Sequence, residues 1–322
     1  MKKAAHFVRR PLHGLSNVIS SRPKLAFFSL ALVGLLAKIW YSHSVWRGAR
    51  IVFFNVGQGD SALIQLGHFS SRFSALIDIG GKIGRHRSLY RAHLQREMAR
   101  YGVISVSRAI LSHPDSDHGA GFTDLAQDAA PDLFLYFAKE PYRPLLQQIL
   151  QHVPPSHAHL VSSVEHEHVF QNHLWYIPTS SLTPKRASHK HNDEALLVRL
   201  DVGQCSVLFL GDIERDMEEA LSESKWVHHV QVVKVVHHGS NSSSTEALAR
   251  AIPGALGIVS VGKRNPYHHP RKEALERLRR ENWHLLRTDF HGFVELTLYN
   301  NQIHCRHFWG DCGTLSCDHA SP

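Results

Sequence analysis

The sequence predicts an α/β fold, a two-sheet core with helices outside, on three observations. Past residue 50, short apolar runs alternate with longer helix-like stretches. Several of the apolar runs end abruptly at Gly, Asp or His. The 322 residues are 43% hydrophobic, which allows one large domain with a short appendage rather than two equal domains. No internal repeat or long low-complexity linker interrupts the pattern.

Strands are expected at Ile51–Asn55, Ser61–Leu66, Ser74–Asp78, Arg108–Leu111, Ala195–Leu200, Ser206–Leu210, Val230–Val236, Gly257–Val261 and Phe293–Tyr299. Helices are expected at Arg87–Tyr101, Pro144–His152, Ile213–Glu223, Thr245–Ala251 and Pro270–Glu281.

Chemistry concentrates where these strands end. After Ala109-Ile110-Leu111, residues 113–118 read His-Pro-Asp-Ser-Asp-His, placing His113, Asp115, Asp117 and His118 within six positions. Imidazole nitrogen and carboxylate oxygen at that density suit one divalent cation or two. The bland alternative is a polar turn on a solvated loop. It weakens downstream, because Asp212 follows the run ending at Gly211, and His237 and His238 follow Val232-Val-Lys-Val-Val. Three strand ends thus deliver acids or imidazoles, and a cleft at one sheet edge would collect them.

These residues resemble the metallo-β-lactamase superfamily, and within it the hydrolase domain of ComEC-type competence DNA-uptake proteins. The resemblance rests on Asn55-Val-Gly-Gln-Gly-Asp-Ser61, Leu76-Ile-Asp-Ile-Gly80, Ser112-His-Pro-Asp-Ser-Asp-His-Gly119, Leu210-Gly-Asp-Ile213 and His237-His-Gly-Ser240. Ser260-Val-Gly-Lys-Arg-Asn-Pro-Tyr-His-His-Pro270 and Arg287-Thr-Asp289 with Gly292 follow in the same order, so the resemblance spans residues 50–300. It implies an αββα sandwich, and the apolar stretch described below places a single N-terminal membrane-anchor helix before it. The expected divisions are a basic segment with anchor at 1–48, a hydrolase domain at 49–310 and an irregular tail at 311–322.

The resemblance also implies two divalent metal ions. It assigns His113 and Asp115 to one metal and Asp117 and His118 to the other. Asp212 bridges them, and His237 completes the second site in preference to His238. Asp115 stands where the superfamily usually has a second His, and an oxygen donor there makes Mn²⁺ or Mg²⁺ as fitting as Zn²⁺. Asn192 matches the Asn of ComEC-type domains where a third His is otherwise found, with His189 and His191 as substitutes.

Further segments shape the site. Asp60 lies in the tight Gly57-Gln-Gly-Asp60 turn, or in a simple hairpin turn. Asp78, by the resemblance, accepts a ring N–H and orients a ligating His. Ser240 opens a hydroxyl-rich loop before a helix start at Thr245 that could hold a phosphate, or form an ordinary N-cap cluster. Asn265 and His269 match an Asn…His-Pro segment in which His269 touches substrate, although His268 replaces its usual glycine.

Residues 25–41 form an apolar stretch in which only Lys38 is charged, at the short limit for a membrane span. Lys2, Lys3, Arg9, Arg10, Arg22 and Lys24 precede it, which orients the N-terminus to the cytoplasm and the hydrolase to the periplasm or cell exterior. A cleaved signal peptide and a buried amphipathic helix are the alternatives. Of the four cysteines, Cys312 and Cys317 are close enough in sequence to suggest a disulfide, or a stray metal cluster with His319.

The net charge of +8 suits a polyanion, much of it from Arg264, Arg271, Lys272, Arg277, Arg279, Arg280 and Arg287, unless the last helix simply presents a solvated face. With the resemblance, these features indicate a metal-dependent phosphodiester hydrolase, a nuclease acting on DNA during uptake. Asp117 and Asp212 are its central carboxylates, and a separate channel subunit carries the surviving strand. A hydrolase of phosphorylated wall polymer or a small phosphodiester, and a non-catalytic DNA-binding module with a decayed site, are the competing readings.

Overall fold

Two face-to-face sheets carry the fold in the computed structural model, which describes residues 32–34, 48–67, 73–80, 82–83, 87–139, 143–185 and 191–318. The strands are β1 (Ala49–Phe53), β2 (Ala62–Leu66), β3 (Phe73–Ile77), β4 (Lys82–Ile83), β5 (Arg87–Ser88), β6 (Arg108–Leu111), β7 (Leu133–Tyr136), β8 (Ala158–Leu160) and β9 (Glu165–Val169). They continue as β10 (Asn172–Pro178), β11 (Leu196–Val202), β12 (Cys205–Phe209), β13 (Val232–Lys234), β14 (Leu256–Val259), β15 (His284–Arg287), β16 (Val294–Tyr299), β17 (Gln302–His307) and β18 (Gly310–Ser316). One sheet runs β18-β17-β16-β1-β2-β3-β6-β7-β8, the other β15-β14-β13-β12-β11-β10-β9, with β4 and β5 a separate ribbon.

Strand alternation builds the layers. Ala49, Ile51 and Phe53 of β1 face the space between the sheets, as do Leu196, Val198, Leu200 and Val202 of β11. Phe53 stacks on Phe209 across that space, with ring centroids 5.6 Å apart. The intervening Val52 and Leu197 point outward into two further cores under helices. Strands buried on both faces read as continuous apolar runs, and burying a Leu or Phe side chain contributes about 1.5–3 kcal/mol.

The helices cover those outer faces. Leu94 and Met98 beside α1 (Gln95–Arg100), then α2 (Ser116–Gly119), α3 (Phe122–Asp128) and α4 (Pro144–Leu150) lie with the first sheet. Met217 and Leu221 of α5 (Arg215–Ser222), Leu248 of α6 (Glu246–Ala251) and Leu278 of α7 (Lys272–Arg280) pack on the second. Short α8 (Thr288–His291) follows β15. The layers are therefore α, β, β, α. Parallel pairing of β3-β6-β7 and of β12-β13-β14-β15 carries consecutive strand ends to one edge, where the site assembles.

Several elements depart from expectation. The segment after His113 contains two helices, α2 and α3, rather than loop alone, and Arg87 and Ser88 join β5 before a π-helical turn at Tyr90–Leu94. Strands β4, β7 to β10, β15, β17 and β18 lie outside the ranges given above. Most are short or polar sheet-edge strands that exist through pairing to a neighbour rather than through an apolar run of their own.

The tail is likewise not irregular, since Gly310–Ser316 pairs antiparallel to β17. Cys312 bonds Cys305 across that hairpin, and Cys317 bonds Cys205 of β12, so the Cys312–Cys317 pairing that spacing alone suggests does not form. Both bonds follow from β18, which sets Cys312 beside β17 and carries Cys317 to the second sheet. A metal at Cys312 and Cys317 is excluded with it.

Met1–Trp46 is a unit separate from Arg47–Pro322. The expected anchor at 25–41 lies outside the described residues except for the helical residues Leu32 to Gly34. Among the described residues, no helix is long and apolar enough to cross a membrane.

Candidate metal centre

Each side chain of the centre is delivered by the end of a strand. Asp78 follows β3 in the left-handed region at φ 57°, a conformation Asp tolerates better than most residues. Its amide donates to the Ile110 carbonyl at 2.9 Å, which ties the turn to β6. Its carboxylate then accepts from the Ser112 amide (2.8 Å) and hydroxyl (2.7 Å), and from His118 Nδ1 (2.8 Å). The expectation that Asp78 orients a ring by holding its outer nitrogen thus has its geometric counterpart at His118.

The loop carrying Asp117 is clamped by close backbone approach. Asp60 N donates to Asp117 O at 2.9 Å, and Gly80 N to Asp60 O at 2.7 Å. A Cβ on Gly80 would lie 1.7 Å from Asp117 O, and one on Gly59 2.4 Å from it. Only glycine lets three chain segments meet there.

Three buried imidazoles converge on the carboxylates. His118 Nε2 is 3.2 Å from Asp212 Oδ1; His238 Nε2 is 3.4 Å from both Asp212 Oδ2 and Asp117 Oδ2; His113 Nε2 is 3.6 Å from Asp115 Oδ2. The opposite nitrogens are already engaged: His113 Nδ1 with the Ser112 hydroxyl at 3.1 Å, and His238 Nδ1 with the Ser260 carbonyl at 2.8 Å. All three Nε2 atoms, with Asp212 Oδ1, are buried without an aligned hydrogen-bond partner. Buried polar atoms are rarely left so, and inward-aimed lone pairs of this kind fit a divalent cation.

Asp117, His118, Asp212 and His238 offer ligand atoms all within 4.8 Å of one another. His238 therefore occupies the place expected for His237. His237 Nε2 stands 3.7 Å from Asp212 Oδ2 and is partly exposed. Asp115 is the most open of the set at 42% exposure, with Arg143 3.5 Å away. Asn192 is half-buried in the turn His191–Asp193, and His189 lies outside the described residues.

Sequence reasoning missed Lys234. It is buried in β13, pairs closely with Asp60 Oδ2, and lies 3.6 Å from Asp212 Oδ1. A lone cation inside an otherwise apolar central-strand run was the available signal.

Other expected contacts are redirected. Asn265 gives its amide to the Gly262 and His269 carbonyls (2.9 and 2.7 Å) and accepts from His269 N (2.9 Å), so it staples its own loop. The Ser240 hydroxyl contacts Ser242 at 3.1 Å. The amides of Ser244 and Thr245, offered as a phosphate site, both donate at 2.7 Å to the buried Glu218 carboxylate. That anion already fills the place; burial pushes its carboxyl up to about 7 against these bonds. Arg277 spends its guanidinium on Asn241, Ser243 and Ser244, and Arg287 on Asp289, so the basic patch is smaller than its composition suggests.

Electrostatics follow from this packing. Burial opposes charge on Asp212, yet His118, His238 and Lys234 together hold its carboxyl well below the usual range. Burial likewise opposes charge on His238, but Asp212 and Asp60 raise it to about 9; His118 is raised in the same way by Asp212, Asp60 and Asp78. Asp117, despite burial, is drawn down to about 2 by His238 and His118. Without metal, both rings hold protons on the nitrogens a cation would need. Filling the centre at pH 7 is expected to release about two protons, with affinity rising with pH until about 9. Calorimetry in buffers of different ionisation enthalpy counts those protons, and a count of zero contradicts this assignment.

No protein-family model matches the chain. It is 28% identical over 263 residues, 77% of its length, to ComE operon protein 3 of Bacillus subtilis (strain 168). It is 26% identical over 253 residues, 78% of its length, to competence protein ComA of Neisseria gonorrhoeae. Over that region the chain resembles ComEC-type competence proteins. Those alignments cover 33% and 32% of the relatives, so the chain spans about a third of the curated proteins it matches. Among solved structures, the metallo-beta-lactamase fold protein YhfI from Bacillus subtilis aligns at TM-score 0.46 and 13% identity, over 77% of this chain and 99% of that one.

Proposed function

We propose that this chain is a ComEC-type, metal-dependent phosphodiester hydrolase, a nuclease acting on DNA during competence-related uptake. The observation that carries the reading is the set of three buried rings whose free Nε2 atoms face carboxylates on separate strand ends. Asp117, His118, Asp212 and His238 would hold one divalent ion, and His113 with Asp115 a second, with Asp212 Oδ2 also facing His237. Ions held there supply Lewis acidity, acidifying water and offsetting charge on the phosphoryl group.

The protein's own groups do the positioning. Asp78 fixes the His118 tautomer by accepting from Nδ1, and the Ser260 carbonyl does the same for His238. Lys234 holds Asp60 against His238 and balances a site otherwise rich in carboxylates. His237 and His269, whose ring centroids are 5.8 Å apart, are both shifted down mainly by burial, His269 to about 4. They are neutral at pH 7, so either ring offers one N–H and one lone pair to a substrate.

A nucleic-acid substrate is favoured by exposed aromatic rings, one of them beside His269. Tyr267, 56% exposed, lies parallel to His269 at 5.8 Å and 13°. Phe290, Phe308 and Trp309 are also exposed, with the Arg287 guanidinium 4.0 Å over the Phe290 ring. Such platforms stack bases irrespective of sequence. Tyr267→Ala is expected to raise KM for single-stranded DNA about tenfold, while hydrolysis of bis(p-nitrophenyl) phosphate is unchanged. An equal loss on both substrates removes Tyr267 from substrate contact.

The segment 25–41 would tether the hydrolase as a single-pass protein facing the periplasm or exterior, beside a channel formed by another chain. The deciding experiment is hydrolysis of single- and double-stranded DNA by the metal-free chain given Mn²⁺, Mg²⁺ or Zn²⁺ in turn. Metal binding without cleavage turns attention to phosphorylated wall polymers; no binding leaves a DNA-binding module with a decayed site.

A further inference from the structure

Glu218 is a fully buried carboxylate on α5. A group so placed costs stability unless hydrogen bonds compensate it. Its two oxygens each accept one backbone amide at 2.7 Å, Oε1 from Ser244 and Oε2 from Thr245. Arg277 of α7 answers with the opposite charge. Its Nε donates to the Ser244 carbonyl at 2.9 Å, and its Nη2 to the Ser243 and Asn241 carbonyls at 2.9 and 3.2 Å. Residues 241–245 are therefore held through their own backbone, amides by an anion and carbonyls by a cation, from two different helices.

That segment continues directly from His237 and His238. Both have positive φ (48° and 52°), a conformation unfavourable for a residue with a Cβ and kept only where the surroundings fix it. The bonds that fix it run back from the clamped segment. Ser243 Oγ donates to the Val236 and Ser240 carbonyls at 3.4 and 3.3 Å, and Ser240 N to His237 O at 2.8 Å. Arg271 N, at the start of α7, donates to Gly239 O at 2.8 Å. A shift of residues 241–245 is thus passed to the His238 ring, whose Nε2 stands 3.4 Å from both Asp212 and Asp117.

We propose that Glu218 is a positioning residue for the metal centre, acting through residues 240–245 to hold the His238 ring against Asp212 and Asp117. This rests on the reading of those residues as metal ligands. Glutamine keeps the shape of Glu218 but turns an NH₂ group toward one of the two amides, so one bond is lost and a donor meets a donor. The segment then gives way, His237 and His238 relax toward ordinary backbone angles, and the His238 ring leaves its place between the carboxylates. Ligands set by supporting bonds of this kind lose affinity when the support goes, although the support never touches the ion.

The test uses the full chain, with amide hydrogen exchange in the metal-free protein reading the loop and Mn²⁺ titration calorimetry reading the centre. Glu218→Gln is compared with Glu295→Gln, a buried carboxylate of β16 that accepts from Tyr101 and Arg306 and so controls for loss of a buried acid elsewhere. Glu218→Gln is expected to speed exchange at residues 236–245 while β1 and β11 keep the parent's protection. It is also expected to weaken Mn²⁺ binding about tenfold, the equivalent of one such hydrogen bond. Arg277→Ala, which removes a half-buried side chain and frees the carbonyls instead, should move both readouts in the same direction. Glu295→Gln should move neither. Parental exchange at 236–245 in Glu218→Gln overturns the clamp, and faster exchange with parental Mn²⁺ affinity overturns its hold on His238. An equal loss of affinity in Glu295→Gln assigns the effect to general stability and overturns the proposal too. A parent that itself binds no Mn²⁺ overturns the reading of the centre and this inference with it, whereas failure of the variant's effects alone leaves that reading standing.

Discussion

Replacing Asp212 by Ala is expected to abolish tight divalent-metal binding and to lower phosphodiester hydrolysis about 10³-fold, equivalent to about 4 kcal/mol of transition-state stabilisation. Its two oxygens separate imidazoles from different parts of the chain, Oδ1 facing His118 Nε2 at 3.2 Å and Oδ2 facing His238 and His237 at 3.4 and 3.7 Å. Gly211 (φ 57°) turns the chain out of β12 to place Asp212 there, and an added Cβ on Gly211 would meet Ser112 at 3.1 Å.

The charge matters as much as the shape. Because the folded-state pKa of Asp212 lies well below 3.8, its ionisation stabilises the metal-free protein at all pH values above 3.8 and is lost only as pH falls through the lower value. Asp212→Asn, which keeps the volume, is therefore expected to lose metal binding almost as fully as Asp212→Ala. In either variant His238 should titrate below its raised value of about 9, since Asp212 is the foremost group raising it. Metal content by emission spectroscopy and His titration by nuclear magnetic resonance give two independent readouts. A variant that keeps the parent's metal count would remove Asp212 from the centre.

Much of this cluster was legible because its acids and imidazoles gather in short segments at strand ends. His113, His118 and Asp212 are read from local sequence, and parallel pairing of the strands before them brings them together. The choice between His237 and His238 was not legible. It depends on both residues adopting positive φ (48° and 52°), which turns one ring into the carboxylates and leaves the other nearer solvent. The phosphate site proposed for the helix start at Thr245 failed for a related reason. Its amides read as free in sequence, and only packing shows that Glu218, 26 residues before Ser244, lies against them.

Edge strands and disulfides were the other losses. Glu165–Val169 alternates acid and imidazole and has no apolar face by which to be recognised; it is a strand because β10 pairs with it. Cys205 and Cys317 are 112 residues apart, a closure that spacing cannot suggest. What periodicity supplied was the inner layer, where Ile51, Phe53, Val207 and Phe209 alternate as buried strands must.

Lys234→Met is expected to destabilise the metal-free protein by about 3–5 kcal/mol, the range for removing one partner of a buried ion pair. Methionine fills similar volume and suits a strand whose three residues are all buried, so the loss is electrostatic rather than a cavity. Removing the ammonium leaves Asp60 with only the imidazoles of His238 at 3.3 Å and His118 at 3.6 Å, and takes a cation from beside Asp212. Burial alone would lower the Lys234 pKa, but Asp60 and Asp212 raise it above 10.5. Its contribution is therefore complete at pH 7 and fades only as pH rises through that higher value. Divalent metal should recover part of the deficit, because a cation bound at Asp212 and Asp117 returns positive charge to the same carboxylates. Urea unfolding at pH 7, with and without Mn²⁺, measures both effects: a metal-induced gain larger in Lys234→Met than in the parent supports a shared electrostatic role. A metal-free variant within about 1 kcal/mol of the parent, well short of the buried-pair range, would mean that the ammonium merely fills space between the sheets.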